Sequence, residues 1–333
     1  MIKVAINGFG RIGRLVFRIM QEDKDFNVVA INDLTDPQQL AYLLKYDTSH
    51  RKYLDNEISY DEENIIVKGK KIRVYKETNP ENLPWNELDI DAVYECTGRF
   101  TDKEKASSHI KAGAKKVIIS APATGDLKTI VYNVNETTLT KEDNVISAAS
   151  CTTNCLAPVV NILDKYFKIN KGYMTTVHAY TNDQSILDLA HPKGAKSRRG
   201  RAAAANIIPS ATGAATAIGK VLPQLDGKLD GSALRVPVTT GSVIDLTLEL
   251  DKIVTKEEIN EIFKENQNET LGFTLDPIVS SDIIGDTHGG VVDGLLTDTL
   301  ESEGTQLVKV VAWYDNEYSY SSQMVRTVKY LFK

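Results

Sequence analysis

Cysteine is scarce, with Cys96, Cys151 and Cys155 the only three in 333 residues. An odd number without paired spacing excludes a disulfide framework and a Cys-rich metal site, and it suits a reducing compartment. Long apolar runs are missing as well. No stretch approaches the length needed to span a bilayer, and the chain enters a strand containing Lys3 without a basic and apolar leader, so a cytoplasmic location and no membrane partner are expected. There is no excess of positive charge: 39 Lys and Arg stand against 45 Asp and Glu, a net charge of −6, so nucleic acid is not an expected partner. Internal repeats and low-complexity linkers are also lacking. What remains is ordinary globular composition, 42% hydrophobic and 25% charged, at a length that suits two domains.

Against that background one cysteine stands out. Asn144 to Ala148 reads as a short strand, and Leu156, Val159, Val160, Leu163 and Phe167 recur at helical spacing after Cys151. Cys151 therefore falls where a helix begins, and the unpaired N–H groups there favour an anion, biasing the thiol toward thiolate. His178, in Thr176-Val177-His178-Ala179-Tyr180-Thr181, is the candidate base and a neighbouring charge that would lower the thiol pKa further. Cys155 follows one turn later and is expected to be a packed bystander.

The first thirty-odd residues carry a second signal. Ile2 to Ile6 is an apolar strand running into Asn7-Gly8-Phe9-Gly10-Arg11-Ile12-Gly13-Arg14, and Ile12, Leu15, Val16 and Ile19 then form one helical face. In that setting Gly8 permits the turn, Gly10 lets backbone approach a pyrophosphate, Arg11 and Ile12 open the helix beside it, and Gly13 allows close helix–strand packing. A second strand, Asn27 to Ile31, leads to Asp33, twenty residues beyond Gly13, where a carboxylate binds ribose hydroxyls and repels a 2′-phosphate. The expected cofactor is NAD. Asp36-Pro37 caps a helix through Leu44; Ala92 to Glu95 and Lys116 to Ile119 are further strands, and Thr101-Asp102-Lys103-Glu104 reads as a capping box. Alternation implies a parallel sheet, and ligands at its strand ends bring Thr97, Gly98 and Ser120 near the cofactor.

After Cys151 the pattern changes. Val243 to Leu250 alternates strictly, Gly172 to Ala179 and Leu307 to Trp313 are further strands, and Thr255 to Glu258 opens a helix. The fold class is α/β: an N-terminal Rossmann dinucleotide-binding domain over 1–150 and a second, α+β catalytic domain over 151–317 on a largely antiparallel or mixed sheet. The helix at 318–333, with Met324, Val325, Val328 and Leu331 on one face, is expected to fold back onto the first domain. Pro158 inside the Cys151 helix should bend it or deprive a carbonyl of its donor. A basic loop with Lys193, Lys196, Arg198, Arg199 and Arg201 points to anionic substrates, and Ser210 to Gly213 at an expected helix start adds an anion nest.

Taken together, Ile6 to Arg14, Ala149 to Pro158, Thr175 to Thr181, Asn206 to Pro209, Thr212 to Ala215, Leu234 to Pro237 and Trp313 to Glu317 resemble the phosphorylating glyceraldehyde-3-phosphate dehydrogenase family over essentially the whole chain. The resemblance implies a glycolytic oxidoreductase that converts D-glyceraldehyde 3-phosphate and inorganic phosphate to 1,3-bisphosphoglycerate, reducing NAD through a hemithioacetal and a thioester on Cys151. It makes Cys151 the nucleophile and His178 its base. It places Thr181 and Arg235 on the substrate phosphate, and Ser150, Thr152, Thr212 and Gly213 around the attacking phosphate, with Arg199 reaching one of the two. Asn316 would orient the nicotinamide carboxamide. The family is homotetrameric, with the basic loop near a subunit interface, and no metal is implied. Thr216 and Ser319 depart from the family's usual lysine and glycine without touching these roles. A relative that oxidises erythrose 4-phosphate would share the site, and a non-enzymatic dinucleotide-sensing or adhesin role is the alternative from another class.

Overall fold

The structure, a computed structural model, describes residues 1–194 and 196–333; Ala195 of the basic loop lies outside the described residues. The chain divides into two compact units, residues 1–150 with 321–333, and residues 151–320.

In the first unit the chain runs β1 (Ile2–Asn7), α1 (Arg11–Gln21), β2 (Phe26–Asn32), α2 (Pro37–Lys45), β3 (Ile58–Tyr60), β4 (Asn64–Val67), β5 (Lys70–Tyr75), β6 (Ala92–Glu95), α3 (Lys103–Ala106), α4 (Ser108–Lys111), β7 (Lys116–Ile119) and β8 (Val145–Ser147). The sheet order is β3-β4-β5-β2-β1-β6-β7-β8. Six of these strands, β5 to β8 through β2 and β1, are parallel, and β3 and β4 extend the edge antiparallel. Val4, Ala5 and Ile6 are sealed on both faces, as a central parallel strand requires. The chain leaves β1 toward β2 on one side and returns to β6 on the other. This reversal opens a crevice at the carboxyl ends of β1 and β6.

Two helices differ from their sequence patterns. α1 buries Leu15, Val16, Phe17 and Met20, leaving Ile12 and Ile19 half-buried; its Arg14 and Arg18 are buried because carbonyls receive them, Phe9 O at 2.9 Å and Leu44 O at 2.6 Å. The helix expected from Thr101 starts at Lys103, with Asp102 as its cap accepting from Lys105 N–H, and it breaks into the single turns α3 and α4. Between them the Ser107 hydroxyl donates to Lys103 O at 2.6 Å, a local bond that competes with helix continuation.

The second unit begins with α5 (Cys151–Phe167), β9 (Ile169–Ala179), β10 (Ile208–Ala211), α6 (Ile218–Val221), β11 (Leu229–Val236) and β12 (Ser242–Leu250). It continues with α7 (Lys256–Glu265), β13 (Leu271–Thr274), β14 (Gly290–Asp293), β15 (Asp298–Ser302), β16 (Thr305–Tyr314) and α8 (Tyr318–Leu331). The sheet is mixed, β10-β11-β9-β12-β16-β14-β13, with β15 on β16. β12 buries every second residue from Ser242 to Leu250, which presents one apolar face to α5. α5 runs through Pro158 without interruption, held by Leu156, Val159, Val160 and Leu163, none with any exposure. Tertiary burial outweighs the donor that proline removes. Within α8, residues from Ser321 onward belong to the first unit, where Gln323 donates to Tyr132 O and Lys329 pairs with Asp23 and Asp25 at 2.8 and 2.7 Å.

Because α5 carries the candidate nucleophile and owes its continuity to burial, its core face is the expected weak point. Leu163→Ala should cost about 2–5 kcal/mol, measured as a drop in the urea midpoint at unchanged slope.

Candidate active site

The second unit assembles a reactive pair from the register of its sheet. Ala149, at φ 59°, takes a left-handed turn that swings the chain from β8 into α5, so Cys151 becomes the first helical residue. β9 and β11 pair in parallel with His178 opposite Arg235. The Cys151 Sγ lies 3.4 Å from His178 Nε2, and the Tyr314 ring packs edge-on against the imidazole at 5.9 Å. Tyr314 Oη is itself fixed between the hydroxyls of Thr152 and Thr176, 2.9 Å from each.

The other face of the imidazole sets its proton. Nδ1 is 2.6 Å from Ala179 O and 2.8 Å from Arg235 Nη1, and it cannot donate to one and accept from the other. Arg235 Nη1 has its own acceptors in Ala179 O (2.9 Å) and Thr181 Oγ1 (3.2 Å), so Nδ1–H donates to Ala179 O and the Nε2 lone pair faces the thiol. Burial, reinforced by the Arg235 guanidinium, holds His178 down to about 3 from its ordinary 6.5. Burial likewise pushes the Cys151 thiol up from 9.0, while Arg235 and the Thr152 hydroxyl and N–H at the helix start pull the other way. Both shifts run against the thiolate and imidazolium expected from sequence, since a buried site beside a fixed guanidinium disfavours a second positive charge. Cys155 is sealed against Gly290, and burial raises its thiol far higher.

A ring of charge adjoins the pair. Asp183 accepts from Thr181 Oγ1 and from Arg199 Nη1, and Thr181 in turn meets Arg235. The structure therefore brings Thr181, Arg199 and Arg235 together with His178, joined by a carboxylate, Asp183, that sequence reasoning missed; its only signal was an acid two residues after Thr181. Thr152 is buried with its hydroxyl on Tyr314. Ser150 directly precedes Cys151 and is half-buried. Thr212 and Gly213 follow β10 in a turn, where Thr212 Oγ1 accepts Ala214 N–H. The expected helix there starts only at Ile218 and spans four residues; Ser210 and Ala211 are held extended in β10 on β11, and Thr212 and Gly213 follow outside any helix. Asn316 is buried, its Oδ1 accepting from Ser242 Oγ, Gly241 N–H and Thr240 Oγ1, which fixes the direction of its NH₂ group. The basic loop lines a cavity of about 680 Å³ with Lys193, Arg198, Arg199 and Ser210.

The first unit holds a cavity of about 310 Å³ at the reversal between β1 and β6, lined by Asn7, Gly8, Gly10, Asn32, Asp33 and Thr97. A Cβ on Gly8, at φ 90°, would meet Cys96 C and Thr97 N at 2.8 Å, and one on Gly13 would meet Gly8 O at 2.1 Å; Gly10 faces open space. The loop is therefore packed where the turn needs it and open where an anion would approach α1. Asp33 accepts from Phe9 N–H (2.7 Å) and Thr35 N–H (2.9 Å), one on each oxygen, leaving each a further lone pair for a ribose hydroxyl. This donor set fits a dinucleotide. Arg11 is committed to Asp47, so only its main chain and that of Ile12 can serve the loop. Ser120 stands one strand over, its N–H on Glu95 O and its side chain on Cys96, outside the cavity lining. Among the described residues no group of three or more His, Cys, Asp or Glu is placed to hold a metal, and no helix is long and apolar enough to cross a membrane.

Comparison with known proteins covers both units. Residues 2–103 match the family described as glyceraldehyde 3-phosphate dehydrogenase, NAD binding domain, and residues 150–316 match glyceraldehyde 3-phosphate dehydrogenase, C-terminal domain. A glyceraldehyde-3-phosphate dehydrogenase of Clostridium pasteurianum is 58% identical over 333 residues, covering all of this chain and 99% of its own. Proteins of the same name from Lactobacillus delbrueckii subsp. bulgaricus and Streptococcus pyogenes are 54% and 53% identical, covering 98% and 100% of this chain and 98% and 99% of their own.

Two measurements follow from the neutral imidazole. His178 takes up its proton near 6.5 when unfolded but only near 3 when folded. Its contribution to stability is complete above pH 6.5 and is lost as pH falls toward 3. His178→Asn should flatten that acid limb of the stability curve. The same variant should slow alkylation of Cys151 by iodoacetamide at neutral pH, by about a hundredfold if the imidazole serves as a general base.

Proposed function

The chain belongs to the glyceraldehyde-3-phosphate dehydrogenase family, and from that premise we propose that it oxidises D-glyceraldehyde 3-phosphate with NAD to 1,3-bisphosphoglycerate, using Cys151 as nucleophile and His178 as base. The observation that carries the assignment is the 3.4 Å approach of an imidazole lone pair to a thiol at the start of a long helix.

His178 Nε2 takes the thiol proton as Sγ adds to the aldehyde carbon and passes it to the carbonyl oxygen, giving a neutral hemithioacetal whose hydroxyl lies near backbone donors at the start of α5 and leaving His178 free to act as base again. His178 then removes the hydroxyl proton as the carbonyl re-forms. NAD, when bound, would supply the two-electron acceptor; the glycine loop and Asp33 would hold it, and Asn316 would offer its NH₂ to the carboxamide. The resulting thioester on Cys151 keeps the energy of oxidation. Inorganic phosphate attacks the thioester carbon and Sγ leaves as the thiol, receiving its proton from His178. Arg235 and Thr181 anchor the substrate phosphate; Arg199 supports that region or the attacking phosphate, and Ser150, Thr152, Thr212 and Gly213 surround the latter. The erythrose 4-phosphate reading is not favoured, since the full-length relatives carry the glyceraldehyde 3-phosphate name.

We also infer a cytosolic homotetramer. Its support is the family, the free cysteines and the apolar tip of the basic loop, where Ile186, Leu187 and Leu189 are 86%, 76% and 72% exposed. Such a cluster is covered in a stable assembly. Light scattering after gel filtration should give four times the 36.8 kDa chain mass.

NADH formation from glyceraldehyde 3-phosphate should require inorganic phosphate and vanish in Cys151→Ser; phosphate-independent steady turnover would sink the phosphorylating assignment. Arg235→Leu should lower kcat/KM for glyceraldehyde 3-phosphate by about ten- to a hundredfold while sparing an unphosphorylated aldehyde. It should also move the acid limb of the pH profile upward, because removing the guanidinium lets His178 protonate more readily. An unshifted limb with equal losses on both substrates would make Arg235 a structural residue.

A further inference from the structure

Beneath the dinucleotide cavity lies a buried polar chain that the mechanism does not use. Glu95 ends β6 at 1% exposure and His109 on α4 has none. Glu95 Oε2 accepts from Asn7 Nδ2 at 2.5 Å and from His109 Nε2 at 3.0 Å; Oε1 accepts from Thr97 N–H at 2.8 Å and from Thr97 Oγ1 at 2.5 Å. Four donors meet four lone-pair sites, which only an ionised carboxylate provides.

The donor on His109 is dictated from outside. Trp85 Nε1–H, fully buried, points at His109 Nδ1 at 3.0 Å. Indole is a donor only, so Nδ1 must accept and the ring proton must sit on Nε2, facing Glu95. A doubly protonated ring would set N–H against N–H. On the far side, Asn7 Oδ1 accepts from Asn32 Nδ2 at 2.7 Å, which fixes the Asn7 amide in the orientation that donates to Glu95. Asn32 in turn exchanges hydrogen bonds with the Glu77 backbone, both at 2.9 Å.

Asn7 and Thr97 are the two walls of the glycine loop. Asn7 immediately precedes Gly8, and Thr97 N and Cγ2 lie where a Gly8 Cβ would be, at 2.8 and 2.9 Å. We propose that Glu95, presented with a single His109 tautomer that Trp85 enforces, is the positioning residue of the dinucleotide pocket, clamping Asn7 and Thr97 on either side of Gly8 so that the loop is preformed for the cofactor. The proposal rests on the dinucleotide reading of the cavity given above.

The test uses the full chain. With ¹⁵N-histidine labelling, the resonances of one imidazole among five, assigned by their loss in His109→Gln, should report a bare Nδ1 and a protonated Nε2. The opposite tautomer or a doubly protonated ring overturns the proposal, and this readout stands even where a variant fails to fold. Glu95→Gln puts an amide donor among the four donors, and it should weaken NAD binding, followed by calorimetry, by about tenfold or more, the loss falling on KM for NAD rather than on kcat. Adding Trp85→Phe frees Nδ1 to carry the proton, so Nε2 can accept from the new amide, and part of the affinity should return. A loss that Trp85→Phe does not relieve, or Glu95→Gln binding NAD as tightly as wild type, overturns the clamp alone. A wild-type protein that fails to bind NAD would instead overturn the functional reading beneath it.

Discussion

Pairing β11 in register with β9 sets the Arg235 guanidinium against the His178 ring, and the chemistry depends on what that fixed charge forbids. An imidazolium next to a buried arginine is costly, so the ring stays neutral, and its Nδ1–H is held by Ala179 O, which leaves a lone pair on the thiol side. In the reaction proposed for this site, the thiol proton would then move to that lone pair as Sγ attacks. Sheet register decides this, since a one-residue slip of β11 would carry Arg235 away from the imidazole and turn its side chain to the other face.

In the first unit the arrangement of charge is opposite in sign. A carboxylate is sealed under the cavity, and it is tolerated because N–H and O–H groups fill its acceptor sites. The four donors come from three parts of the wall: Asn7 at the end of β1, Thr97 just after β6 with two of them, and His109 on α4. A single buried group therefore converts the divergence of two strands into one defined surface, which loop packing alone would leave adjustable.

Much of the fold was legible because burial writes a period into sequence. β12 alternates strictly and is a strand buried on one face; the apolar run of β1 followed by glycines, a helix and Asp33 is a parallel unit with a phosphate loop. The helix from Cys151 could be read past Pro158, since its apolar spacing continues. Less legible were features that depend on competition or distance. The break between α3 and α4 turns on one serine hydroxyl, and the β3–β4–β5 extension is short, with few apolar residues. Ser210 to Gly213 has the composition of a helix start, yet Ser210 and Ala211 pair with β11 and the helix begins only at Ile218. At the site, the residue types of Cys151, His178 and Arg235 suggested their chemistry, but burial and a guanidinium from another strand, which both oppose an imidazolium, are invisible to local spacing. Asp183 and Glu95 were missed for the same reason: an acid in a loop or at a strand end acquires its meaning only from the groups that converge on it.

Asp183 shows why such convergence matters for an anionic substrate. Desolvation and the nearby Arg199 both disfavour the charge on Arg235. Asp183, paired with Arg199 and joined through Thr181 to Arg235, offsets that repulsion, and the cations keep it well ionised despite its partial burial. For the phosphate proposed to bind here the arginines are already in position, so the cost of gathering like charges is met during folding and would not fall on binding. The same placement would favour a phosphate over a neutral ligand, because only an anion can replace the interactions that Asp183 makes.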